Sequence, residues 1–167
     1  MISDRLAEEM DKQIKEEFES ASYYLAMASY LEAENWEGFS KFMKAQAVEE
    51  MEHGMKFYNF LHEVGHRAEV PALDQPKLEY SSLEEVFQTA LDHEKHISGR
   101  IDKLVQVSEE EGDSRARSLL QWFVDEQVEE ENTMEDILVK IKRIGDSSAL
   151  YMLDKELGQR QLGAERE

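Results

Sequence analysis

The chain has 167 residues, of which 38 are acidic and 19 are lysine or arginine, so its formal net charge is −19. A surface of that sign repels nucleic acid and anionic membranes and attracts cations, metal ions included. The absence of cysteine excludes disulfides, thiolate metal sites, iron–sulfur clusters and a cysteine nucleophile. The opening residues MISDRLAEEM lack the apolar run of a signal peptide, and no stretch approaches the roughly 20 apolar residues of a spanning helix. The expected location is therefore cytoplasmic, with neither nucleic acid nor membrane as a partner.

The length suits one domain over residues 1–167, large enough to bury a sizeable core. In chain order, Ser3 opens a first helix over about 4–34, and Asn35, Trp36 and Gly38 mark a short turn. A second helix over about 37–64 stops at Gly65. Residues 65–81 hold both prolines, Pro71 and Pro76, and read as a long connection. Ser81, with Glu84 three residues on, suggests a capping box for a third helix over about 82–111. Gly112 ends it, and Asp113 or Ser114 begins a fourth over about 114–144. Gly145 ends that, and Asp146 or Ser147 starts a short fifth helix over about 147–158. The remaining 159–167 is a polar tail. No β-branched alternating run is long enough to argue for a sheet.

Short turns make antiparallel neighbours. Seventeen extended residues in the long connection reach on the order of 55 Å, enough to cross a bundle end to end. The expected fold is all-α: a four-helix bundle with one long crossover and a short fifth helix.

Each long helix carries an apolar stripe at helical spacing, and each stripe is broken near its middle. The breaks are Glu17, then Glu50 with His53, then Glu94, then Gln127 with Glu130. Midpoints of similar helices share one layer, so these carboxylates, the imidazole and the amide should meet in one cross-section of the core. No lysine or arginine lies on the central part of the stripes. Buried unpaired carboxylates cost several kcal/mol each or take up protons. Two divalent cations would cancel the charge of the four. Glu50 and His53, three residues apart on one face, can reach the same ion. Oxygen ligands with one imidazole suit iron or manganese better than copper(I), without excluding zinc, and two irons sharing bridging carboxylates would permit two-electron chemistry with O₂.

The runs KEEFESASYYLAMASY, QAVEEMEH, DHEKH and LQWFVDEQVEEE resemble a non-haem bacterial or archaeal-type ferritin, and the likeness covers nearly the whole chain. The second helix has Glu50-x-x-His53, but the fourth has Gln127-x-x-Glu130 in place of a second Glu-x-x-His, which resembles ferritins proper and not bacterioferritins. The resemblance implies a di-iron ferroxidase centre. Glu17, Glu50 and His53 would hold one iron, with Glu50 bridging. Glu94 and Glu130 would hold the other, with Gln127 as hydrogen-bonding partner or weak ligand. It further implies a third iron site using Glu49, Glu126 and Glu129 with Glu130 shared, and a role beside the centre for Tyr24. Fe(II) and O₂ or H₂O₂ are the implied substrates, Fe(III) is stored as mineral, and the assembly is a homo-oligomeric cage of 24 subunits with the fifth helix at the four-fold axes, although the sequence alone equally allows that helix to fold back on its own bundle.

Met51 sits where bacterioferritins can place a haem ligand, but no haem is expected without the second Glu-x-x-His. The alternatives are a haem-binding bacterioferritin-like cage or another di-metal bundle oxidoreductase. A rubrerythrin-like module is disfavoured by the lack of cysteine. Trp36 and Trp122 read as packing residues.

Overall fold

In the computed structural model, residues 1–159 are described, and all regular structure among them is helical. Helices α1 (Asp4–Ala33), α2 (Glu37–Glu63), α3 (Leu83–Glu110), α4 (Ser114–Ile144) and α5 (Ala149–Leu157) follow one another. The polar tail expected over 159–167 lies, apart from Gln159, outside the described residues.

Helix ends follow their local chemistry. The Ser3 hydroxyl accepts the Leu6 N–H at 3.2 Å, and the Asp113 carboxylate accepts from Arg115 and Ala116 at 3.0 and 3.1 Å. The cap of α3 sits one residue later than Ser81 and Glu84 suggest. Ser82 accepts the Glu85 N–H at 3.0 Å, and Glu85 reaches back to the Ser81 N–H at 2.5 Å. Two serines followed by two glutamates fit either register, and the structure takes the second. Helix α5 begins at Ala149 without a side-chain cap, two residues after the expected start. In the first turn it is Asn35, not Gly38, that takes positive φ (64°).

Gly38 serves a different purpose. A Cβ placed there would stand 1.6 Å from the Asp154 carbonyl oxygen, so its absence lets α5 press against the start of α2. α2 has no side-chain cap of its own at Trp36. Instead Asp154 of α5 accepts the Phe39 N–H at 2.9 Å, placing a carboxylate at the positive end of α2. The fifth helix thus folds back on its own bundle, burying Leu153 while Tyr151 and Met152 face outward.

α1 runs antiparallel to α2, with Ser40 meeting Ala28 near one end and Gly54 lying against Phe18 farther along. It is also antiparallel to α3, pairing Arg5 with Glu110 at one end and Glu16 with His96 nearer the middle. Lys142 meets Gln88, and Phe123 stacks on Phe57, so α4 opposes both α3 and α2. α2 and α3 are therefore parallel, as a long crossover requires. That crossover lies along α1. Asp11 accepts the Glu69 N–H at 2.8 Å and Glu19 accepts the Asp74 N–H at 3.0 Å.

The core falls into two apolar clusters. One holds Met27, Leu31, Phe39, Met43, Phe87, Met134 and Ile137; the other holds Leu6, Met10, Ile14, Phe57, Ile101, Leu104 and Phe123. Each fully buried large side chain contributes about 1.5–3 kcal/mol. Between the clusters lies a polar layer.

Asp154→Ala should lower the unfolding free energy by about 1 kcal/mol, the scale of a lost helix cap. Gly38→Ala should cost more, because the backbone of α5 must move away. Denaturant unfolding, with proteolysis at 145–148 reporting release of α5, measures both.

Candidate metal centre

The polar layer consists of Gln13, Glu17 and Ser20 from α1, Gln46, Glu50 and His53 from α2, Glu94 from α3, and Gln127 and Glu130 from α4, all of them buried. All but Gln13 and Ser20 sit mid-helix on the inward stripe, so the regular 3.6-residue repeat carries them into the interior. The structure brings all six stripe-breaking residues inside.

Glu17, Glu50 and His53 form the tightest group. One ligand atom from each lies within 4.8 Å of the others. Glu17 Oε2, Glu50 Oε1 and His53 Nδ1 are buried and receive no donor from outside the group; a protonated Glu17 carboxyl can donate only to Glu50, and His53 Nδ1 stands 3.3 Å from Glu50 Oε2. That contact lacks hydrogen-bond geometry and leaves the nitrogen available to a ligand. Buried polar atoms are ordinarily satisfied, so three orphans converging from two helices fit a cation held between them.

The other half of the layer is more occupied. Glu94 accepts the Tyr24 hydroxyl on Oε1 and the Gln127 amide on Oε2 at 3.1 Å. Gln127 also reaches the Glu94 main-chain oxygen at 3.2 Å. Glu130 accepts from Gln46 at 2.7 Å. Tyr24 thus lies on a carboxylate of the layer, and burial, followed by the charge of Glu94, pushes its hydroxyl well above the ordinary phenol value.

The carboxylates cannot all be charged unaided. Burial and then the charge of Glu50 raise Glu17 well above the usual range. Burial and then Glu94 and Glu130 do the same for Glu50. Burial and then Glu130 lift Glu94 to about 8, despite the opposing bonds from Tyr24 and Gln127. Glu9 supplies the contrast. Burial raises it too, but Lys103 and Lys12, at 2.8 and 2.7 Å, hold it at about 2. Among the described residues, Glu17, Glu50 and Glu94 have no lysine or arginine as ion-pair partner.

The remaining candidates lie farther out. Glu49 and Glu126 are half-buried and Glu129 is exposed; among the described residues they join no second group of three ligand atoms. Glu49 acts on the centre through its charge, which raises Glu50. Met51 is 47% exposed on the outer side of α2.

Trp36 packs on Phe39, whereas Trp122 is 39% exposed. Its ring meets His53 edge-on at 5.4 Å, under the Lys56 ammonium at 4.4 Å, so it covers that imidazole rather than filling the core. His93 lies against Tyr23 and Tyr24, and burial holds it at about 4 and therefore uncharged. Gln13 is a further member of the layer that the stripe pattern passes over. The available signal was its place one turn ahead of Glu17, the same spacing that separates Gln46 from Glu50.

A family model described as the ferritin-like domain matches residues 7–144. The chain is 40% identical to a bacterial non-heme ferritin of Staphylococcus aureus over 166 residues, covering 99% of this chain and 100% of that one. A solved open pore ferritin from the hyperthermophilic archaeon Archaeoglobus fulgidus superposes with a TM-score of 0.95 at 40% identity, covering 96% of this chain and 99% of that one. A humanized archaeal ferritin gives 0.96 at 39% identity, covering 98% and 100%. A bundle of this topology with a carboxylate–imidazole layer at mid-height defines a ferritin-like fold. The chain belongs to the ferritin family.

Between the ordinary carboxylate value and about 8, the folded chain keeps a proton on Glu94 that the unfolded chain has lost. Stability therefore falls as pH rises through that window. Glu94→Gln removes this titration. Chelator-treated E94Q should gain on the parent protein between about pH 5 and about pH 8, by up to about 1.4 kcal/mol per pH unit. Parallel stability–pH curves would contradict the assignment.

Proposed function

We propose that this protein stores iron: it binds Fe(II) in pairs at the mid-bundle layer, oxidises it with O₂ or H₂O₂, and deposits Fe(III) as mineral in a cage of its own subunits. The observation that carries the reading is the buried group Glu17, Glu50 and His53, one ligand atom of each within 4.8 Å of the others, with Glu17 Oε2, Glu50 Oε1 and His53 Nδ1 given no donor from outside the group. Its family and its ferritin relatives support the same reading.

In this proposal iron is substrate and cargo. Glu17, Glu50 and His53 take the first ion. Glu50 turns toward the second, which Glu94 and Glu130 hold, with Gln127 at its edge. Binding displaces the protons that burial keeps on the carboxylates. Two Fe(II) then lose one electron each. O₂ accepts the pair with two protons and becomes H₂O₂, or H₂O₂ accepts it with two protons and becomes two waters. The protein's part is to hold two cations together on rigid helices with their ligands ionised. Tyr24 orients Glu94 through its hydroxyl. Glu49, Glu126 and Glu129, with Glu130, offer acids for a third ion along the way to the cavity.

The net charge of −19 supports iron uptake and nucleation. The exposed apolar side chains Leu25, Val70, Leu73, Leu78, Tyr151 and Met152 support assembly. We take the assembly to be 24 subunits and the location to be the cytoplasm. Among the described residues, no helix is long and apolar enough to cross a membrane.

Aerobic addition of Fe(II) to the purified protein should give a rapid rise in near-ultraviolet absorbance. Glu50→Ala or His53→Ala should slow it about tenfold or more. Rates equal to the parent's would overturn the site assignment, and elution near 19.5 kDa would overturn the cage.

A further inference from the structure

Gln13 is fully buried, at 0% exposure, one turn ahead of Glu17 on α1. Its Nε2 donates to Glu17 Oε1 at 2.8 Å. That bond ties one carboxylate oxygen and leaves the other, Oε2, in the group with Glu50 and His53. With an ion bound Glu17 is ionised and only accepts, so in that state the contact also fixes which end of the amide is which. The carbonyl, Oε1, is then on the other side, and it has no hydrogen-bond partner.

A buried acceptor without a donor opposes folding. Methionine would fill the same space beside Met10 and Ile14 with no such cost. The neighbouring ligand carboxylates, once ionised, have no hydrogen to offer. A hydrated divalent cation does: three protein ligands leave room in its coordination for water, and the ion's charge makes that water a strong donor.

We infer that Gln13 is the positioning residue of the first metal subsite, with its N–H orienting Glu17 and its carbonyl receiving a hydrogen bond from a water molecule carried by the ion. The inference rests on the two-metal reading above. It gives the first ion one ordered water, held from the α1 side, and it explains why an amide occupies a position that apolar packing would otherwise take.

The test uses Zn²⁺ and Co²⁺, which bind without oxidation. Each is titrated by calorimetry into the assembled parent protein and into Gln13→Met, with Trp122 fluorescence as a second readout. Affinity for the first ion should fall about tenfold or more in Q13M. Q13M removes the orphaned carbonyl but also the amide donor to Glu17 Oε1, and the two offset, so the chelator-treated variant should unfold close to the parent. A fall in ion affinity with metal-free stability close to the parent's would mark a positioning role. Unchanged affinity, or affinity and metal-free stability falling together, overturns it.

A zinc-bound crystal structure of the unaltered protein gives an answer independent of the variant. A zinc-bound water oxygen is expected about 3 Å from Gln13 Oε1. A protein donor at that oxygen, or no such water, overturns the inference. Failure of the parent to bind zinc at Glu17, Glu50 and His53 would instead sink the two-metal reading itself.

Discussion

A buried negative charge must find a positive one, and this bundle places several at one depth without supplying a cation of its own. Glu17, Glu50 and Glu94 sit within 1% of full burial, and burial is the first cause of each carboxyl's upward shift. Elsewhere the same chain meets the problem in the ordinary way, ringing Glu9 with Lys12, Lys103 and Arg100. The difference is therefore local to the layer. An interior of this kind is a cost in the metal-free chain and, in the proposed function, a binding site for divalent ions, and both follow from one electrostatic fact.

The layer is not symmetric. On the side of Glu17, Glu50 and His53, one atom of each residue has no donor from outside the group. On the side of Glu94, both carboxylate oxygens are already engaged by Tyr24 and Gln127. An ion arriving at the first side meets donors in place. One arriving at the second must compete with a phenol and an amide as well, while on both sides it displaces the protons that burial keeps on the carboxyls. In the proposed cycle this difference orders the filling of the two subsites, and it lets the second release its product more readily than the first.

Much of this was legible in the sequence because helices advertise themselves by period. Mid-stripe polar residues on four helices are improbable as surface positions, and all six lie inside. Gly65, Gly112 and Gly145 take positive φ where the stripes end. What escaped were matters of contact between distant segments. Gly38 looks like a turn residue until Asp154 is found against it, 116 positions later. The capping box could be read in two adjacent registers, and only the backbone decides between them. Trp122 reads as core by type, yet it lies over His53 at the surface because α4 turns that edge toward α2. Gln13 is polar and off the written stripe, and pattern alone does not tell a solvated glutamine from one bonded to Glu17.

The partition of the interior has one more consequence. Hydrophobic packing on either side of the layer makes two compartments that share helices but few side-chain contacts, Met27 with Phe87 and Met134 in one, Leu104 with Phe57 and Phe123 in the other. Volume errors in one compartment have no direct route to the other, so substitutions drawn from opposite ends should combine additively. Evolution can then retune either end for temperature or for subunit contacts while the chemistry at the waist stays as it is.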